Sequence, residues 1–266
     1  MYLDYWRLKE KPFENTPDPR FLYHSPQHDE GLSRLLYVAR EGKGAGLLTG
    51  IFGCGKTLLG KSLSSELEND IYRVAFLSNP RLDDLEMLRM ILHLLGAGEV
   101  PTRKADVLFA LERIFASNLE DGKKTVIVID EAHAIDDPSI FEEIRLLLNF
   151  QTDRQFLLTL LLLGQPELKN KVESNKQLNQ RIAMRYHLEG LNMEETAHYV
   201  DHRLLIAGTK GELFDEKALE LLYARSGGIP RRINQICDIG LLTGMTRRSE
   251  KVNEDILKEA IESLDR

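Results

Sequence analysis

Gly50-Ile51-Phe52-Gly53-Cys54-Gly55-Lys56-Thr57 fits the pattern of a phosphate-cradling loop, two glycines with four residues between them and then lysine and threonine. Before it, Ala45-Gly46-Leu47-Leu48-Thr49 reads as a short buried strand; after it, Leu58-Leu59-Gly60-Lys61-Ser62-Leu63 reads as the opening of a helix. Glycines let the backbone curl so that successive N–H groups turn inward, and the helix N-terminus adds a partial positive charge. The backbone from Gly50 to Leu58 is therefore expected to cradle phosphates, including at Ile51, Phe52, Gly53, Cys54 and Gly55. Lys56 would neutralise β- and γ-phosphate charge, and the Thr57 hydroxyl would hold Mg²⁺. The expected ligands are ATP and Mg²⁺.

A chain of 266 residues holds one large or two modest domains, and 42% hydrophobic with 29% charged residues is the composition of an ordinary globular protein. A formal charge of −7 counts against non-specific attraction to nucleic acid or to an anionic membrane. Cys54 and Cys237, the two cysteines, stand far apart, so neither a disulfide framework nor a zinc pattern is expected, which suits a reducing cytoplasm. The N-terminus lacks the basic and apolar regions of a signal peptide. The apolar run Phe156 to Leu163 is far short of the roughly 20 residues needed to cross a bilayer, so no transmembrane segment is expected.

Pro12, Pro17 and Pro19 among aromatics predict an extended arm over residues 1–24. Ser25-Pro26 predicts a capped helix running to about Arg40. Further strands are expected at Tyr72 to Ser78, Thr125 to Ile129, Phe156 to Leu163 and around Tyr186 to Leu188, with helices at 82–95, 104–119, 138–149, 167–173 and 176–184. Alternating strands and helices imply a parallel three-layer αβα sheet over residues 1–190. From Leu191 onward only helical patterns remain, about 193–206, 216–225, 231–245 and 253–264, which predicts an all-α C-terminal domain over 191–266.

Val126-Ile127-Val128-Ile129 is uniformly apolar, as in a parallel strand buried on both faces, and it ends in Asp130-Glu131. That is the sheet edge at which open α/β sheets bind ligands. Asp130 is expected to help hold Mg²⁺, and Glu131 to orient or deprotonate the water that attacks the γ-phosphate.

An apolar strand ending in Asp-Glu, a later strand ending at a polar residue and a helical lid resemble the AAA+ P-loop NTPases. Tyr5-x-x-Leu8-x-x-Lys11-Pro12-Phe13, Thr16 to Tyr23, Leu163-Gly164-Gln165-Pro166-Glu167-Leu168, Gln180-Arg181-Ile182 and Gly228-Ile229-Pro230-Arg231-Arg232-Ile233-Asn234 make the chain similar to the general secretion pathway protein A (ExeA-like) family. The resemblance implies Gln165 as a first sensor of the γ-phosphate and Arg231 as a second sensor on the lid. It implies Arg181, with Arg185 one helical turn on as the rival, as an arginine finger reaching a neighbouring subunit, so that activity depends on homo-oligomer assembly in a ring or open form. Pro12 and Phe13 would flank the adenine, with packing into the core as the competing use.

The chain departs from the family at Ile51, where glutamate is usual, and at Cys54, where threonine is usual. Cys54 at a helix N-terminus is open to two readings, a lowered, oxidisable thiol or an inert filler. Asp130-Glu131-Ala132-His133 spells the name of a helicase class whose two motor domains do not fit in this length. His198 and His202 share a helical face at metal-binding spacing, yet the surrounding polar residues favour a solvated surface. The family implies a cytoplasmic ATPase, in part peripheral at the inner face of the cytoplasmic membrane, serving a membrane-protein partner in a secretion, pilus or polysaccharide-export complex. Larger members add a membrane segment and a peptidoglycan-binding domain; this chain stops at Arg266, so a separate membrane partner is expected to supply contact with the cell wall. A competing reading is an ATP-switched DNA-binding module of the transposition-helper type, with Arg231, Arg232, Arg247, Arg248 and Lys251 clustered on the lid.

Overall fold

The computed structural model describes residues 2–67, 70–209 and 211–264. Its elements run α1 (Tyr2–Trp6), α2 (Pro26–Arg40), β1 (Ala45–Gly50), α3 (Lys56–Leu67), β2 (Tyr72–Leu77), α4 (Asp84–Leu94), α5 (Lys104–Glu120), β3 (Lys124–Ile129), α6 (Pro138–Leu147), β4 (Leu158–Gly164), α7 (Glu167–Ser174), α8 (Lys176–Arg181), β5 (Ile182–Leu188), α9 (Met193–Ile206), α10 (Glu216–Ser226), α11 (Pro230–Thr246) and α12 (Glu254–Leu264). The five strands form one sheet in the order β2-β3-β4-β1-β5, parallel at every pairing. The chain divides into two compact units.

One unit comprises Asp29–Phe52 and Leu59–Leu188 and contains the sheet. Strands β1, β3 and β4 are apolar at nearly every position because both faces are covered. On one face Leu47, Ile127, Ile129, Leu160 and Leu162 pack with Leu88 and Ile91 of α4, Leu111 and Phe115 of α5, and Ile144 of α6. On the other, Gly46 lies against Leu35 and Val38 of α2, and Gly60 of α3 lies against Leu163 and Phe76. Helices on both faces of a parallel sheet make the three αβα layers.

Two local expectations are corrected in this unit. The helix expected to reach Met184 ends at Arg181, because Ile182 to Leu188 pair with β1 from Ala45 to Gly50. Sheet pairing outweighs the helical preference of Ala183 and Met184. Arg185 therefore sits on a strand rather than one helical turn beyond Arg181.

The other unit comprises Met1–His28, Gly53–Leu58 and Glu189–Arg266. Its core joins the apolar faces of α9 to α12 to Tyr2, Trp6, Leu8 and Phe13. The arm was expected to accompany the sheet and to be extended; it packs with the helices instead, and its first residues form α1. One helical turn puts Tyr2 and Trp6 on the same side, where both are buried. The Trp6 Nε1–H donates to the Leu241 carbonyl at 2.8 Å, and a Cβ at Gly244 would come within 2.8 Å of the indole. Arg203, 3% exposed, donates to the carbonyls of Pro12 and Glu14 and lies over the Phe21 ring. Buried charge is tolerated where it is hydrogen-bonded, so Arg203 holds the proline-rich arm in place.

Candidate functional site

The glycine-rich stretch forms the turn between β1 and α3, with Lys56 and Thr57 opening the helix. Gly53 and Gly55 have φ of 85° and 103°, a backbone region costly for any residue with a Cβ, so the loop's curl depends on glycine at both positions. Lys56 is 4% exposed and its Nζ lies 4.0 Å from the Cys54 sulfur. Cys54 is fully buried, and burial pushes its thiol up against the opposing pull of Lys56. Burial and the raised thiol favour the filler reading of Cys54 over the oxidisable one. Phe52 is exposed.

Two partners of this loop lie in its own unit. The Arg231 N–H, in the first turn of α11, donates to the Gly53 carbonyl at 3.2 Å, and a Cβ on Gly53 would come within 2.7 Å of the Arg231 Cβ. Arg231 is thereby brought to the phosphate loop. The His28 ring, 5% exposed, lies 2.9 Å from the Cys54 carbonyl through Nε2 and 2.7 Å from the Ser25 hydroxyl through Nδ1. Sequence reasoning missed His28; its only signal was a position in the first turn after the Ser25 cap.

The sheet unit supplies the second cluster. Asp130, 2% exposed at the end of β3, accepts the Glu131 N–H. Glu131 has φ 53°, left-handed for a residue with a side chain, a strain of about 1–3 kcal/mol of the kind stored at functional sites. Its carboxylate is part-exposed and lies 3.4 Å from His133 Nε2. The Gln165 side-chain amide meets the same Nε2 at 2.8 Å, and its backbone N–H points to His133 Nδ1 at 3.3 Å. A neutral imidazole accepts at one nitrogen only. With Nε2 protonated and the Gln165 amide turned so that Oε1 accepts, both contacts are satisfied. Lys171 fixes the loop beyond, donating to the carbonyls of His133 and Ile135 at 2.6 and 2.7 Å. His133 and Lys171 are further residues sequence reasoning missed: His133 was noticed only as the last letter of a helicase name, and Lys171 gave no signal at all.

Arg181 ends α8 directly before β5, where Ile182 pairs with Ala45, the far end of β1 from Gly50. Six residues of β1 separate the two edges, about 20 Å. Its guanidinium donates to the Leu148 carbonyl and the Asn149 side chain and covers the Phe156 ring. Arg185 donates twice to Asn179, through the backbone carbonyl and the side chain. Phe13 is 3% exposed and packs edge-on against Phe214, and Pro12 is buried beside it, so this proline and this ring serve the helical core.

The expected cationic cluster does not form. Arg231 and Arg232 open α11 whereas Arg247, Arg248 and Lys251 follow its end, about 24 Å away. Arg247 pairs with Glu259 and Lys251 with Glu212. His202 is half-buried against Tyr23 rather than solvated, and burial lowers its pKa. Among the described residues no group of three or more His, Cys, Asp or Glu side chains could hold a metal ion. Thr57 and Asp130 each carry a hard oxygen, the kind of donor that suits Mg²⁺.

Comparison with known proteins adds the following. The model of a family described as the AAA domain matches residues 39–172. General secretion pathway protein A of Aeromonas hydrophila is 39% identical over 256 residues, 95% of this chain and 46% of that protein. The chain thus spans somewhat less than half the length of that relative. Among solved structures, Drosophila ORC bound to DNA gives a TM-score of 0.76 at 16% identity, covering 100% of this chain and 66% of that one. Cdc6p from Pyrobaculum aerophilum gives 0.73 at 12% identity, covering 95% and 70%. The Thermotoga maritima RuvB Holliday junction branch migration motor gives 0.61 at 21% identity, covering 88% and 69%. At such identities the likeness is one of fold. No helix among the described residues is long and apolar enough to cross a membrane.

Proposed function

The chain belongs to the AAA domain family, and from that premise we propose that it binds ATP with Mg²⁺ and hydrolyses it as an oligomer-dependent ATPase. The observation that carries this reading is the Gly53–Arg231 contact, which brings a helical-domain arginine to the loop that bears Lys56. Loop N–H groups and Lys56 would bind the phosphates, Thr57 and Asp130 would hold Mg²⁺, and Arg231 would sense the nucleotide. The ion, when bound, neutralises phosphate charge. Glu131 would take the proton of the attacking water, and Gln165, held by His133, would orient that water.

Arg181 would serve a neighbouring subunit. Its place beside Ile182, which pairs with the end of β1 away from Gly50, supports that reading. On this reading the chain up to residue 190, apart from the arm over residues 1–24, acts as the nucleotide-binding domain and residues 191–266 as the lid, with the arm held by the lid. The protein would work on the cytoplasmic side for a membrane-protein partner of a secretion, pilus or polysaccharide-export complex; secretion is the part of this reading that the name of its relative supports. The DNA-binding alternative is disfavoured by the separation of its cations along α11.

The deciding experiment is calorimetry with ATP and Mg²⁺ on the wild type and on Lys56→Ala. Heat of binding from the wild type and none from the variant is the expected result. No heat from either removes the reading.

A further inference from the structure

The chain passes from β5 to α9 through Glu189-Gly190-Leu191, and the side chain of Gln27 grips that passage. Its Oε1 accepts the Glu189 N–H at 3.0 Å and its Nε2 donates to the Gly190 carbonyl at 3.3 Å. The adjacent residue, His28, holds the Cys54 carbonyl of the phosphate loop at 2.9 Å. Both side chains come from the first turn of α2, whose start is set by Pro26 and by the Ser25 hydroxyl accepting the His28 N–H at 3.4 Å. A second bridge closes the same circuit. The Gly228 carbonyl accepts the Leu191 N–H at 2.8 Å, and Gly228 leads through Ile229 and Pro230 to Arg231 on Gly53.

We propose that Gln27 and His28 form a positioning clamp that couples the phosphate loop to the Glu189–Leu191 passage. The Cys54 carbonyl can only accept, so the ring proton sits on Nε2 and donates to it, and Nδ1 accepts from the Ser25 hydroxyl. The ring is thus orientated from both sides. Holding the Cys54 carbonyl turns that peptide's oxygen toward the ring, which keeps oxygen away from the anion the loop is built to receive. Gly55 leaves the room for this: a Cβ there would come within 3.1 Å of His28 Nε2. The backbone of one helical turn is stiff, so a shift of the loop that moves His28 also moves Gln27 and with it the Glu189 and Gly190 peptides. The proposal deepens the ATP reading by naming what the loop's state is transmitted to.

Amide hydrogen exchange tests the clamp in two arms, with thermal melting as the check on folding. Without nucleotide, His28→Leu should speed exchange at residues 53–57 by about tenfold, the size of one lost buried hydrogen bond, and leave 189–191 within about twofold. Gln27→Leu should do the converse, because Glu189 loses its acceptor. His28→Gln, which keeps a donor toward Cys54, should return residues 53–57 to near wild-type rates. Should a leucine variant fail to fold, His28→Asn, too short to reach Cys54, or Gln27→Ser, too short to accept from Glu189, takes the same measurement. With ATP and Mg²⁺ added, the wild type should gain protection at both segments and Gln27→Leu at residues 53–57 only. Wild-type exchange at both segments in the variants, or equal loosening of both by either variant, overturns the clamp. Absence of any nucleotide-induced protection at 53–57 in the wild type sinks the ATP reading instead, while the nucleotide-free arm still decides the clamp.

Discussion

The two units reach their arrangement by different routes. In the sheet unit, Asp130 and Glu131 follow directly on an apolar strand, and His133 and Gln165 meet because β3 and β4 are neighbours in the sheet. In the helical unit, the arm and the phosphate loop are braced by polar contacts between residues 26 to 191 positions apart, His28 to Cys54 and Arg203 to Pro12. A strand end carries its chemistry in local sequence, whereas a brace carries it in a partner far along the chain. Substitutions in the first region should therefore damage rate more than folding, and those in the second should do the reverse.

The largest expected effect lies at the sheet edge remote from the loop. Arg181→Ala should lower turnover by about 10³ to 10⁵-fold if it completes a neighbour's site, with ATP affinity little changed. Mixing Arg181→Ala with Lys56→Ala protein should restore part of the activity, since each subunit then lacks a different half of a shared site. Wild-type turnover from purified Arg181→Ala would remove it as the finger and leave Arg185 as the remaining arginine. Glu131→Gln should cost about 10² to 10⁴-fold in turnover while ATP still binds, measured as phosphate release beside calorimetry. Should Glu131→Gln also lose several kcal/mol of folding stability, the distinction between the two regions fails. Relief of the left-handed strain is no part of the change, because glutamine bears the same Cβ as glutamate.

On the other side of the comparison, Trp6→Ala removes a 6%-exposed indole that packs on Gly244 and donates to Leu241. A loss of about 3–5 kcal/mol is expected from such a truncation, read from denaturant midpoints. Hydrogen exchange should place the loosening among α1, α11 and α12 and leave β3 and β4 protected. Uniform loosening of both units would show that they fold as one and that the arm's role is global.

What could be read in the sequence follows the same division. The phosphate loop, β1, β3 and the capped start of α2 were legible because glycine spacing, apolar runs and a Ser-Pro cap act within a few residues. The β5 start was not: Ala183 and Met184 continue a helical pattern, and only the vacant edge of β1 makes them strand. Phe13 carried two readings, adenine neighbour and core, until Phe214, some two hundred residues on, was found beside it. Arg203 drew no reading from the sequence. Its role appears only when the carbonyls of Pro12 and Glu14 come within reach, an acceptor pair that no local pattern announces.

The smallest expected effect concerns the two thiols, and it follows from burial alone. Cys54 and Cys237 are both fully buried, and desolvation raises both thiol pKa values above the ordinary value of 9.0. Between the ordinary and the raised value the folded chain keeps protons that the unfolded chain gives up, so stability falls as pH rises through that window and is unaffected below it. A disulfide-exchange reagent at pH 8 should accordingly titrate almost no thiol until denaturant is added, and then both. Rapid labelling of Cys54 in the native protein would mean that the loop opens on the timescale of the reaction. In that event the brace from His28 would be the first contact to re-examine, because it holds the Cys54 carbonyl at 2.9 Å.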